Sequence, residues 1–448
     1  MCTTFYTRKE QNYMTYDEIY KSKLMTADEA IKAHIKNGDK LFLGGLDIAK
    51  ETFTTLLNKI KEGEYSGISA YGNLILNDIG LDDERLTPDK FRYYAYFYGG
   101  YERSGAKYGS VTNVPLHLNQ FEEYMKFVSP DVAVIPMSPP DEQGFCNIGP
   151  AGYIPAGIVN SKKIIAEINK NIPRVCGSRH DFHVSEISAF VEHNEPIDIP
   201  PSGESSETDK KIASYILEQI PDGACIQLGI GGTANAVGYG LIDKKHLGVH
   251  SEMYGDSMAY LQKLGVIDNS QKTFMPGRSV CGFTMATRET LDYIDKNPRV
   301  YYEPYQYVND VKNIAANDNM ISINTGLSMD LTGQLCSESI GFRQFSGSGG
   351  QVDYIRGATL SKGGKSFIAM SSVANTKNGP VSKICLSLAP GSIVTTLRAE
   401  IMYVVTEYGC VNLRFCDVPT RAKRLISIAH PDFRDELTFE AKKNGLIY

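Results

Sequence analysis

The chain has 448 residues, 42% of them hydrophobic, which is enough for two or three packed domains. A formal net charge of -6 leaves no basic face to neutralise a phosphate backbone and argues against a nucleic-acid partner. Nine scattered cysteines, set mostly in apolar runs, read as reduced thiols of a cytoplasmic protein, not as a disulfide framework or a metal site.

Residues 1–20 are polar and tyrosine-rich and lack the apolar stretch of a signal peptide. No later run reaches the roughly eighteen apolar residues of a membrane span, so no membrane partner is expected. This opening segment is expected to be an arm, followed by a first α/β domain at 21–192. There, Thr26 with Glu29 three positions later forms a capping box, which predicts a helix burying Ala30, Ile31, Ala33 and Ile35. Asn37-Gly38-Asp39 stops it, a strand follows at 40–43, and Gly44-Gly45 opens the next turn. Apolar runs predict further strands at 68–71, 91–98, 132–136 and 164–167. Cys176, His180 and His183 lie close in sequence, but no fourth ligand comes at a recognised spacing, so no metal is expected. Residues 192–209 hold three prolines among serines and acids, and a linker is placed at 193–209.

The second half, 210–448, restarts the same scheme of helix, turn, strand and glycine turn, which suggests an internal duplication of one α/β unit. A short strand at 224–228 runs into Gly229-Ile230-Gly231-Gly232, and Thr233 is positioned to cap a helix whose apolar positions Ala236, Val237, Tyr239, Gly240 and Leu241 are expected to pack back on the sheet. A right-handed crossover then delivers a parallel strand at 247–251. Glu252 follows near its carboxyl end, where open α/β sheets build their sites. His250 shares its face, and is placed either to tune it or to be a satisfied, half-buried histidine. Three readings compete for this unit. Gly229, Gly231 and Ala234 satisfy the G-x-G-x-x-A dinucleotide fingerprint, with Glu252 as the ribose-binding acid of an NAD-dependent oxidoreductase. In the second reading the turn is a thioester pocket and Glu252 a nucleophile. In the third the glycines merely turn the chain and Glu252 is a solvated acid.

Strands are further predicted at 273–275, 320–324, 366–370 and 402–406. Between them, Gly347, Gly349 and Gly350 offer consecutive backbone N–H groups able to hold an oxyanion or pass a thin pantetheine chain. Arg356, Lys362 and Lys365 follow as counter-charges for phosphates. Glu407 ends the strand at 404–406, and two glutamates at two strand ends suggest a shared site.

Four separated stretches carry a resemblance: LGVHSEMYGD with Glu252, SGSGGQVDYIRGATLSKGGKSF, VVTEYGCVNLR and RAKRLISIAHPDFRDEL. Together with DVAVIPMSPPDEQGFCNIG and AEINKNIPRVCG, they resemble the acetyl-CoA hydrolase/transferase family, in its 4-hydroxybutyrate and butyryl-CoA:acetate CoA-transferase branch. The resemblance implies two tandem open α/β domains of the NagB/RpiA-like CoA-transferase type, with the active site in the cleft between them. It implies Glu252 as the nucleophile and Glu407 as a second acid nearby. Gly229, Gly231, Gly232, Gly347, Gly349, Gly350 and Lys365 would serve CoA, the acyl group and the oxyanion. It further implies ping-pong transfer of CoA between a short-chain acyl-CoA and a small carboxylate such as acetate, through a glutamyl-CoA thioester. No tightly bound cofactor or metal is expected, coenzyme A thioester being the substrate, and the protein is expected to be a homodimer or higher homo-oligomer. An acyl-CoA hydrolase on the same scaffold is the nearest alternative. Ala234 stands where relatives commonly have proline, and Gln334-Leu335-Cys336 where many have Q-V-N. The tyrosine-rich stretch 93–109 also differs and is expected at the domain cleft.

Overall fold

The computed structural model describes residues 14–197, 199 and 205–448. The first thirteen residues of the expected arm, and positions 198 and 200–204 of the expected linker, lie outside the described residues. Two parallel sheets dominate. The first is built from β1 (Lys40–Leu46), β2 (Ile68–Ile75), β3 (Phe91–Ala95), β4 (Val111–Asn113), β5 (Val132–Met137), β6 (Lys163–Ile168) and β7 (Ala189–Glu192), in the spatial order β7-β6-β5-β1-β2-β3-β4. Its central strands β1 and β5 are buried on both faces, which is why they read as continuous apolar runs and not as alternating ones. Leu41 and Leu43 enter one core beneath the sheet, while Phe42 between them enters the core on the other side.

The second sheet contains β8 (Cys225–Leu228), β9 (Gly248–Tyr254), β10 (Ser279–Thr284), β11 (Val300–Tyr302), β12 (Met320–Thr325), β13 (Lys365–Ala369), β14 (Tyr403–Thr406) and β15 (Gly409–Asn412). Its order is β15-β14-β13-β12-β8-β9-β10-β11, closed by the two-residue strand Cys176–Gly177. All neighbours are parallel except the β14–β15 hairpin. In each half the first strand sits mid-sheet, the next three run outward on one side, and the later ones on the other. The duplication expected from sequence is thus present as shared topology, with switch points at β1/β5 and β8/β12. The halves are not cleanly separated, because Cys176–Gly177 comes from the first half and pairs with β11 of the second.

Local expectations fare unevenly. The capping box at Thr26 and Glu29 forms and starts the helix Ala27–His34. A second box at Thr15 and Glu18, within the expected arm, starts the helix Tyr16–Ser22. That helix docks on edge strand β7 through Tyr20, whose hydroxyl donates to Glu192 at 2.8 Å and whose ring lies 4.6 Å from that of Phe190. Two expectations are corrected. Residues 273–275 form no strand, because Pro276-Gly277 follows at once and the Lys272 ammonium beside them is spent on the carbonyls of Val249 and Arg278. The strand there is β10, four residues later. Thr233 does not cap: the helix Gly232–Gly240 starts two residues earlier, from Gly231 at φ 125°, and the Thr233 hydroxyl donates to Asp209 instead.

Candidate active site

Strand β9 runs three residues beyond the predicted end, so Glu252 is its fifth residue, one strand from the switch point of the second sheet. Three groups converge on its half-buried carboxylate. Asn309, just past the short helix Tyr305–Val308, donates its amide to Glu252 Oε2 at 3.0 Å. The backbone N–H of Gly350 lies beside the carboxylate and favours its charged form. Gly350 is the N-cap of the helix Gln351–Leu360, so the carboxylate faces the positive end of a helix dipole. A methyl group at position 350 would stand 1.9 Å from Glu252 Oε2, so the acid occupies the volume that glycine vacates. Asp353, fully buried on the first turn of that helix, is the third group. It accepts from the same Asn309 amide at 3.4 Å.

Burial pushes the Glu252 carboxyl up to about 7, although Asn309 and Gly350 both favour its charged form. Asp353 is pushed up to about 7 as well, by burial first, with the nearby Glu252 adding to it. His250 does not supply the expected counter-charge. It is fully buried, its Nε2 donates to the Val308 carbonyl at 2.9 Å, and burial lowers its pKa to about 3, so it is neutral.

The first half closes over this group. The Asn119 backbone N–H donates to Asp353 Oδ2 at 3.2 Å, and the Leu118 N–H to the Gly349 carbonyl at 3.4 Å. Gly347 packs so tightly under strand β3's exit that a methyl there would meet the Tyr96 carbonyl at 2.3 Å, and Gly349 lies against the Phe97 ring. The tyrosine-rich stretch of the first half and the glycine loop of the second are therefore packed surfaces of one cleft. Gly231 lines a cavity of about 1050 Å³ together with Met253, Gly255 and Met285. Gly229 and Gly232 serve packing instead, against the Ile323 carbonyl and Asp209.

Two expected site residues are not brought to Glu252. Glu407 follows β14, and the order β14-β13-β12-β8-β9 puts it four strand spacings away, roughly 19 Å across the sheet. Its carboxylate accepts from the Ser372 N–H and hydroxyl, at 2.9 and 2.6 Å, and lines a separate polar cavity of about 380 Å³ with Asp209, Thr325 and Lys383. Lys365 opens β13 at the amino end of the sheet, opposite the site, and donates to the Gln219 carbonyl. Its two companions are committed elsewhere too: Arg356 pairs with Glu400 at 2.6 Å, and Lys362 lies 3.5 Å from Asp318. Gln334 turns to Asp330, and Cys336 is buried with its thiol on the Ser339 carbonyl. Among the described residues no cluster of histidine, cysteine or acidic side chains is arranged to hold a metal, and no helix is long and apolar enough to cross a membrane.

Residues 7–200 match the acetyl-CoA hydrolase/transferase N-terminal domain and 286–441 the C-terminal domain of the same family. The chain belongs to the acetyl-CoA hydrolase/transferase family. It is 38% identical to a butyryl-CoA:acetate CoA-transferase of Anaerostipes caccae, over 96% of this chain and 98% of that one. It is 40% identical to a 4-hydroxybutyrate coenzyme A transferase of Clostridium kluyveri, over 96% and 100%. The crystal structure of RipA from Yersinia pestis superposes with a TM-score of 0.90 at 34% identity, over 97% of this chain and all of that one. Relatives named acetyl-CoA hydrolase match at only 26 to 27% identity. In this family member the dinucleotide reading of 229–234 is set aside: the acid it needs for a ribose is turned onto Asn309 and Gly350. Asn309 and Asp353 carry no sequence signal of their own. Asn309 precedes an ordinary Asp310 helix cap, and an acid in a helix's first turn, as at Asp353, is commonplace.

Proposed function

We propose that the chain is a CoA-transferase that moves CoA between a short-chain acyl-CoA, such as butyryl- or 4-hydroxybutyryl-CoA, and a small carboxylate such as acetate. One observation carries the reading: a single carboxylate, Glu252, faces two preorganised donors in the cleft where both halves meet. Glu252 attacks the thioester carbonyl, giving a mixed anhydride and CoA thiolate. The thiolate then attacks the Glu252 carbonyl, leaving a glutamyl-CoA thioester and releasing the first acid with one of the glutamate's oxygens. The acceptor acid reverses both steps. When the thiolate adds to the Glu252 carbonyl, negative charge collects on a carboxyl oxygen already bonded by Asn309, with the Gly350 N–H beside the carboxylate. Each well-placed donor of that kind contributes about 3 to 4 kcal/mol. The packing of Gly347 and Gly349 on the first half keeps water from the anhydride and favours transfer over hydrolysis.

The test is to mix the enzyme with acetyl-CoA without acceptor and digest it for mass spectrometry. A CoA adduct on the peptide holding Glu252, discharged by acetate or butyrate, is expected; an adduct elsewhere defeats the assignment. The pH dependence follows from the same geometry. Glu252 attacks only when ionised and its carboxyl sits at about 7, so kcat/KM should rise through neutral pH and fall tenfold per unit below it. A profile flat down to pH ~5 would show that a different group attacks.

A further inference from the structure

The function above assigns nothing to Asp353, yet its position is tightly defined. Its Oδ2 accepts from the Asn309 amide and from the Asn119 backbone N–H, while the same Asn309 amide donates to Glu252. One amide therefore bridges two carboxylates, and the first half of the chain touches the second of them. Asp353 Oδ1 and Asn309 Oδ1 are both buried without a hydrogen-bond partner among the described residues. Two bare acceptors in a buried site are costly, and a proton on one of them turns it into a donor.

The charged surroundings do not supply an alternative counter-charge. Glu252 faces Asp353 from β9 and is of like sign. Arg356, on the same helix, attracts it weakly because its guanidinium is bound to Glu400. Tyr354, beside it in sequence, is buried and held neutral by that burial. Among the described residues of the first half only the Asn119 N–H reaches it, and His117 is half-buried, shifted down by burial and by Arg356, and so uncharged at neutral pH.

Resting on the proposed glutamyl-CoA chemistry, we infer that Asp353 is a positioning residue that holds a proton while Glu252 is ionised and gives it up when Glu252 loses its charge. The balance is R–CO–SCoA plus Glu252–COO⁻ giving R–COO⁻ plus Glu252–CO–SCoA, coupled to Asp353–COOH giving Asp353–COO⁻ and a proton delivered to solvent. Asn309 keeps one anionic acceptor throughout, Glu252 before the reaction and Asp353 after it, so the donor stays in place for the second half-reaction. Two acids joined in this way titrate as a pair.

The experiment is a single-turnover burst of the full chain with acetyl-CoA in weak buffer near pH 7, with a pH indicator for protons and intact mass for the adduct. Wild type should release close to one proton per glutamyl-CoA formed, and almost none at about pH 9, where Asp353 is ionised from the start. Asp353→Asn keeps an acceptor for Asn119 and should form the adduct with little or no proton release near pH 7. Its acid limb of kcat/KM should stay where it lies in wild type, because the neutral amide stands in for the protonated acid. A merely structural Asp353 would leave the variant's proton count equal to that of wild type. An adduct with no burst of protons in wild type overturns the inference without touching the function, and this arm needs no variant. No adduct on Glu252 overturns both.

Discussion

Replacing Glu252 by glutamine is expected to lower kcat for CoA transfer by at least about 10⁴-fold, because the amide cannot form the anhydride and no second carboxylate stands in line to replace it. Asp353 is nearby but fully buried behind Asn309, and Glu407 lies four strands away. The glutamine variant is also a clean test. The folded-state carboxyl of Glu252 sits above its ordinary range, at about 7, so the native state binds this proton more tightly than the unfolded chain does. Its ionisation therefore costs stability, a cost that sets in as pH rises from the unfolded value through the folded one and is complete above about 7. A neutral isostere escapes that cost, and Glu252→Gln should melt no lower than wild type at pH 8. Glu252→Asp retains the charge but draws the carboxylate back by about an ångström, away from both the thioester and the Asn309 amide, and should lose about 10²-fold or more. Steady-state kinetics with acetyl-CoA and butyrate, alongside thermal melts, read both effects. Substantial turnover by a folded Glu252→Gln would mean that the cleft acts through some other residue.

The strands and the repeated unit were legible because a doubly covered parallel sheet writes itself as short apolar runs, as in VAVIPM at β5 or CIQL at β8. Glu252 could be singled out because a strand, a glycine turn and a helix precede it and fix its place at the sheet's carboxyl edge. What surrounds it was not legible. The two glutamates at strand ends looked like a pair because each follows the same local pattern. Their distance depends on strand order, and the later strands β12, β13 and β14 are laid down on the far side of β8 from β9. Lys365 failed for a related reason: it lies close in sequence to the glycine loop, but the ten-residue helix Gln351–Leu360 carries the chain to the other end of the sheet before β13 begins. Asn309 and Asp353 are ordinary residues of ordinary caps, and only the folding of three separate segments onto one point gives them a role.

Gly350→Ala is expected to be the most damaging change that leaves both charge and nucleophile in place. The backbone there, at φ -94° and ψ 8°, suits any residue, so the substitution does not strain the chain or the helix it starts. The obstacle is space. The added methyl would lie 1.9 Å from Glu252 Oε2 and 2.2 Å from Asn309 Nδ2, inside contact distance of both partners of the central hydrogen bond. Backbone cannot retreat, because the loop just before it is clamped by the Tyr96 carbonyl against Gly347. The carboxylate must therefore swing away, losing the Gly350 N–H and the Asn309 amide together. Removing one such donor costs about 10²- to 10³-fold in kcat, and the two act on one carboxylate, so their losses combine less than additively. A fall of about 10³- to 10⁴-fold in kcat is expected, with a melting temperature close to wild type. Because the displaced acid also loses the two groups that favour its charge, the acid limb of the residual activity should move to higher pH. If Gly350→Ala instead turned over within tenfold of wild type, the carboxylate would not be using these donors, and the oxyanion would have to be held elsewhere in the cleft.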